Sequence, residues 1–199
     1  LAAAWRARFA LPLIGITGSN GKTTVKEMCA AILRAQARRE GFGEESVLAT
    51  RGNLNNDIGL PLTLLGLRDF HRAAVIEMGM NHPGEIAYLS ELAQPTVALV
   101  NNAQRAHLQG MGTVEEVAKE RRPLCPGLGG AGVAEATVVG ALAEAWRALN
   151  AGRPIVTFGI DHEADVCGRC TLRGLGSRLE LDTPQGKVDF ALQVPGLHN

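Results

Sequence analysis

Neither sign of charge is in excess in this sequence. Lysine and arginine together number 20, aspartate and glutamate together number 20, and the formal net charge is zero. A protein that holds nucleic acid or an anionic membrane through its general charge carries a basic surplus. None exists here, so neither is expected as a partner, and any phosphate-binding site must be local. Long apolar runs are missing too. No stretch reaches the length of a membrane span, and the N-terminus lacks the pattern of a signal peptide. Cysteine is sparse: of Cys29, Cys125, Cys167 and Cys170, only the last two form a C-x-x-C. A structural zinc site calls for a second such pair. The segment also reads as a strand, in which a spacing of three sends two side chains to opposite faces. Neither metal nor redox use is expected of the pair, and a reducing cytoplasm is the expected location. With 46% hydrophobic and 20% charged residues over 199 positions, and no internal repeat, the chain reads as one soluble globular domain.

Along the chain, apolar strand patterns alternate with helical ones. Leu11 to Ile16 predicts a buried strand that runs directly into Thr17-Gly-Ser-Asn-Gly-Lys-Thr-Thr24. A helix is predicted next, from Val25, Met28, Cys29, Ile32 and Leu33 at helical spacing. Further strands are predicted at Ser46 to Thr50, Ala73 to Ile76 and Thr96 to Val100, with helices over Leu60 to Leu67 and from Pro83 and Glu85 onward. Ile86, Leu89 and Leu92 mark the inner face of the latter. Thr113 and Glu116 form a capping box for another helix. After Arg153, Arg178 to Asp182 and Val188 to Leu192 alternate with period two around Thr183-Pro-Gln-Gly186, a β-hairpin signature. The expected fold class is α/β: a mostly parallel sheet with helices on both faces, plus a small C-terminal β-hairpin region.

Gly18-Ser-Asn-Gly-Lys-Thr-Thr24, between an apolar strand and an amphipathic helix, has the context of a phosphate loop. Glycines let the backbone approach the anion, and the amides of the loop and helix start point at it. Lys22 supplies a point charge toward the β- and γ-phosphates, and Thr23 a hydroxyl where Mg²⁺ sits beside them. The longer G-x-x-x-x-G-K-S/T pattern is not met, because Ile16 occupies its first glycine. In an open parallel sheet, ligands bind at the carboxyl ends of the strands. Glu77, Asn101-Asn102 with His107 beyond them, and Asn53, Asn55 and Asn56 all follow such ends. Taken singly, Glu77 is a surface carboxylate, His107 a satisfied loop histidine and the asparagines a turn. Their shared position beside the loop favours a Mg²⁺ environment of Thr23, Glu77 and His107. His71, His82 and His162 lack such placement and are expected at the surface.

At these residues the sequence resembles the Mur ligase family. Thr17-Gly-Ser-Asn-Gly-Lys-Thr-Thr-Val-Lys-Glu-Met28 is similar to the family's ATP loop. Asn101-Asn-Ala103, Ala106-His-Leu108 and Pro195-Gly-Leu-His-Asn199 carry the likeness over nearly the whole chain. Gly52-Asn-Leu-Asn-Asn-Asp-Ile-Gly-Leu-Pro61 and Ile76-Glu-Met-Gly-Met-Asn-His-Pro-Gly-Glu-Ile86 resemble the branch that adds D-alanyl-D-alanine to a UDP-N-acetylmuramoyl-tripeptide. The resemblance implies a P-loop NTPase-like central ATP-binding domain over residues 11–199. Residues 1–10 become the end of a linker from an N-terminal domain, with a C-terminal ligase domain also missing. It implies an ATP-dependent acid–D-amino-acid ligase of peptidoglycan precursor synthesis, working as a monomer through an acyl phosphate, with ATP and Mg²⁺ as cofactors. Gly18, Ser19, Asn20, Gly21, Lys22, Thr23 and Thr24 would bind ATP. Lys22, Glu77 and His107 would be the catalytic set, and Asn53 and Asn56 would meet the substrate. The fragment alone is expected to be inactive, because closing domains complete such sites.

The sequence departs from the family between residues 104 and 142. Gln104-Arg105 replaces Gly-Pro, and Glu135 to Leu142 replaces an Asn-Ala-Asp-Asp segment near the adenine. Arg121 stands where the family has a lysine that is carbamylated and helps hold metal. A guanidinium stays protonated and cannot take that modification. Two alternatives therefore stand beside the ligase: a non-catalytic or degenerate nucleotide-binding paralogue, and another Mur or folylpolyglutamate-type ligase.

Overall fold

The computed structural model describes residues 1–101, 133–136, 154–160, 163–174 and 176–193. Its elements, in chain order, begin with α1 (Ala2–Arg6), β1 (Leu13–Thr17) and α2 (Lys22–Arg39). A 3₁₀ turn (Glu44–Ser46) leads into β2 (Val47–Ala49), followed by α3 (Gly59–Leu65), β3 (Ala73–Glu77), α4 (Glu85–Ala93) and β4 (Val97–Val100). The remaining strands are β5 (Val133–Ala136), β6 (Ile155–Ile160), β7 (Val166–Arg173), β8 (Gly176–Thr183) and β9 (Gly186–Leu192). They form one sheet in the order β2-β3-β1-β4-β5-β6-β7-β8-β9. Pairing is parallel from β2 through β7 and antiparallel across β7, β8 and β9. The expected hairpin is present as β8 and β9, and β7 extends it into a meander that joins the main sheet. That junction is short: β6 and β7 pair over Phe158–Val166, Gly159–Cys167 and Ile160–Gly168. Asp165 reinforces it, accepting from the Thr157 amide and hydroxyl at 2.7 Å each. The helix expected after Thr113 lies outside the described residues.

The alternation of the central strands builds two cores, one on each face. Leu13, Ala74, Ile76, Ala98 and Val100 point to one side, against Leu60 and Leu64 of α3 and Ile86, Leu89 and Ala93 of α4. Ile16, Val75 and Val47 point to the other, against Ala30 and Ala37 of α2, with Val25, Cys29 and Leu33 packed beside them. Burial raises the Cys29 thiol above its ordinary range. Helices thus cover both faces, as the pattern predicts. One expected core residue of α2 is corrected: Ile32 is 69% exposed, because it lies at the margin of the helix stripe rather than in it. The position at the middle of that stripe is held by Lys26, 1% exposed.

The first ten residues pack on the body of the domain. Ala2 is buried in the first core with the neighbouring Leu11, Arg6 is buried as well, and the Trp5 indole donates to the Leu67 carbonyl at 3.2 Å. The Arg6 guanidinium donates to the carbonyls of Ala93 (2.9 Å), Gln94 (3.3 Å), Leu11 (3.5 Å) and Phe9. Among the described residues, no helix is long and apolar enough to cross a membrane.

Candidate functional site

The site lies where β1, β3 and β4 end together. The register sets Ile16 of β1 beside Glu77 of β3, and Thr17 beside Val100 of β4. The chain leaves β1 through the loop at 18–21, leaves β3 after Glu77 and leaves β4 into Asn101. Sequence positions far apart in the chain therefore meet at one sheet edge, as the strand-end argument requires.

Several bonds tie the loop to that edge. The Thr17 hydroxyl, 1% exposed, donates to the Met78 carbonyl at 3.2 Å, and the Asn101 amide nitrogen donates to the Thr17 carbonyl at 2.8 Å. The Asn101 side chain donates to the Asn20 carbonyl at 2.7 Å, so β4 holds the crown of the loop. Gly21 opens α2 with φ +72°, in the left-handed region, and a Cβ there would stand 2.9 Å from Asn101 Nδ2. Glycine meets both demands: positive φ and close approach. Lys22, first residue of α2, curls its ammonium over the loop, with Nζ 2.9 Å from the Gly18 carbonyl and 3.5 Å from that of Ser19. Ser19 is buried at 6%, while Asn20 and Thr23 are exposed and Thr24 is half-buried. Thr23 stands in the first turn of α2.

Glu77 is the unusual group. Only 2% exposed, it accepts from Asn55 Nδ2 at 2.8 Å through one carboxylate oxygen. The other, Oε2, is buried without a hydrogen-bond partner among the described residues. An orphaned buried carboxylate oxygen is costly unless something positive completes it. This chemistry fits a hard divalent cation, which takes oxygen ligands. Among the described residues, no group of three or more His, Cys, Asp or Glu side chains gathers to hold a metal. His107 and Arg121 lie outside those residues.

The asparagines after β2 divide their roles. Asn55 is the one that reaches Glu77. Asn56 turns its Oδ1 to the amides of Ile58 (3.3 Å) and Gly59 (2.8 Å), organising the approach to α3, and Asn53 is exposed. Gly79 donates its amide to the Asn55 carbonyl at 2.7 Å, and a Cβ on Gly79 would stand 2.8 Å from Asn55 Oδ1. Gly59 is tighter still, with a Cβ position 2.4 Å from the Leu54 Cα, so no side chain fits without moving the loop. His82 is exposed and His71 half-buried; His162 lies outside the described residues. Glu85 collects the loop after β3: its carboxylate accepts from the amides of Asn81 (2.6 Å) and His82 (3.1 Å) and meets His82 Nδ1 at 3.0 Å. Burial alone would raise the Glu85 carboxyl, but these hydrogen bonds outweigh it and hold it below its ordinary range. Cys167 and Cys170 sit three apart on β7, hence on opposite faces, as expected of that spacing.

The Mur ligase middle domain model matches residues 16–199. The chain is 42% identical over 187 residues to a UDP-N-acetylmuramoyl-tripeptide–D-alanyl-D-alanine ligase of Haemophilus influenzae, covering 94% of this chain and 39% of that protein. A crystal structure of MurF from Acinetobacter baumannii superimposes with a TM-score of 0.89 at 36% identity, covering 100% of this chain and 42% of that one. MurF from Thermotoga maritima in complex with ADP gives 0.78 at 26% identity, covering 96% and 42%. An FPGS of L. casei, at 0.69 and 17% identity over 99% of this chain and 57% of that one, shares the fold alone. This chain spans about two fifths of the length of the MurF relatives it matches. By the match over residues 16–199 and these likenesses, the chain belongs to the Mur ligase family and carries its middle domain.

Proposed function

We propose that this chain is the nucleotide-binding part of an ATP-dependent ligase that joins D-alanyl-D-alanine to a UDP-N-acetylmuramoyl-tripeptide. The observation that carries this reading is the buried, orphaned Glu77 oxygen beside a phosphate loop, in a chain 42% identical to a ligase of that name. The tripeptide's terminal carboxylate attacks the γ-phosphorus of ATP, giving an acyl phosphate and ADP. The dipeptide amine then attacks the acyl carbon, and inorganic phosphate leaves. The protein's part is positioning and charge neutralisation. Loop and helix-start amides receive the phosphates, Lys22 adds its charge at the β- and γ-oxygens, and Asn101 keeps the loop in shape. Thr23 and Glu77 would hold Mg²⁺, with His107 added by family resemblance; when bound, the ion neutralises phosphate charge. Asn53 and Asn56 are assigned to the acyl phosphate or muramoyl substrate on the same resemblance. The setting proposed is the cytoplasm, the working unit a monomer, and the purpose peptidoglycan precursor synthesis.

A second reading, nucleotide binding without ligation, is favoured by Arg121 at the position of the family's carbamylated lysine. The full-length protein separates the two. ADP release that requires both the tripeptide and the dipeptide is the expected result. ATP binding without that release would leave only the second reading, and no ATP binding would end both.

A further inference from the structure

Lys26 is a charged side chain in the middle of a buried helix stripe. At 1% exposure its ammonium donates to the Thr50 carbonyl at 2.8 Å and pairs with Glu27 Oε1 at 2.7 Å. Full burial of a lysine is expensive and needs a compensating partner. Packing alone would be served better by leucine or methionine. What Lys26 holds is informative. Thr50 closes β2, its amide donating to the Val75 carbonyl at 3.0 Å, and its hydroxyl accepts from the Glu77 amide at 2.9 Å. The chain then runs from Thr50 directly into the loop whose Asn55 holds the Glu77 carboxylate. Both hydrogen bonds that fix Glu77, one on its backbone and one on its side chain, thus come from the segment that Lys26 anchors. Lys26 also lies one helical turn from Lys22, on the helix that starts at the phosphate loop.

We propose that Lys26 is a positioning residue for the cation: through Thr50 it ties the nucleotide-binding helix to the end of β3 and sets the Glu77 carboxylate in place. This rests on the reading of Glu77 as a cation ligand. A partner of a metal ligand typically controls affinity by roughly ten- to a hundredfold without touching the ion. Lysine suits the task because its reach spans from the helix to the next strand while its charge compensates the carbonyl and Glu27.

The test measures ADP affinity by calorimetry on the full-length protein, with Mg²⁺ and again with EDTA, beside the melting temperature. Lys26→Met is expected to leave the EDTA affinity near wild type while reducing the Mg²⁺ enhancement by about tenfold. A folded Lys26→Met with wild-type enhancement, whatever its melting temperature, overturns the proposal by reducing Lys26 to a packing role. If that variant does not fold, Thr50→Val decides: it removes the hydroxyl that receives the Glu77 amide, and a wild-type enhancement there overturns the proposal equally. Glu77→Gln runs alongside. Loss of enhancement in Glu77→Gln but not in Lys26→Met sinks only the Lys26 inference. Wild-type enhancement in Glu77→Gln sinks the cation reading and this inference with it.

Discussion

Lys22→Met lowers nucleotide affinity and turnover by about two orders of magnitude, the scale on which a single preorganised charge or donor acts at a phosphoryl centre. The melting temperature moves by no more than roughly 2 °C, since a part-exposed substitution away from the core costs about 0.5 kcal/mol or less. The geometry explains the asymmetry. Lys22 Nζ rests on the Gly18 and Ser19 carbonyls, at 2.9 and 3.5 Å, above a loop already shaped by Gly21 and Asn101. Methionine keeps the stem and the helix propensity but removes the charge that an incoming phosphate meets. Calorimetry with ADP and a thermal melt on the same sample check both halves. Unchanged affinity would mean that the loop binds no phosphate through this residue.

Arg6→Ala has the largest expected effect on stability, a loss of about 2–4 kcal/mol from several carbonyls stripped of donors. In a protein of this size that corresponds to roughly 5–15 °C in melting temperature. Arg6 is 5% exposed and meets no carboxylate in the bonds described; its donors go to the backbone at Ala93, Gln94, Leu11 and Phe9. Burial lowers the affinity of the guanidinium for its proton, yet an arginine remains charged. Two features offset the burial. The charge sits at the C-terminus of α4, where the helix dipole is negative. It also secures Gln94, a non-glycine residue at φ +45°, a conformation that costs about 1–2 kcal/mol if unsupported. Arg6→Met separates the contributions, because it restores the apolar stem and none of the donors. If Arg6→Met melts with wild type, the hydrogen bonds contribute nothing and only the packing matters.

The frame of this domain was readable wherever local pattern and fold agree. The apolar run before Thr17, the glycine-bearing loop and the helical spacing after Thr24 each specify one element, and each is present. Period two around Thr183 to Gly186 likewise gave β8 and β9. The attachment of that meander to β6 was not readable, because three parallel pairs between Phe158–Ile160 and Val166–Gly168 leave no local signature. That Asn55 is the asparagine that reaches Glu77 was not readable for a similar reason: a loop has no period to say which side chain turns inward. Lys26 was missed although its signal was present. A charged residue between Val25, Cys29 and Leu33 on one side and Ala30 and Ala37 on the other is a conflict between stripe and chemistry. Such conflicts mark functional or strained positions. Arg6 shows the same conflict at the end of a short helix.

The two-sided cover of the central strands has a consequence for how the domain breathes in solution. Strands β1 and β3 lie between two cores, and every residue of β3 is buried. Opening them requires both layers to part at once, so their amide protons exchange with deuterium only through near-global opening. β9, at the far edge, is exposed along six of its seven residues and pairs with β8 alone. Its amides report local fraying instead. A deuterium-exchange time course should therefore divide the sheet into two tiers, hours apart or more, along an axis that no single helix defines. Ligand at the strand ends would slow the upper tier further while leaving β9 unchanged.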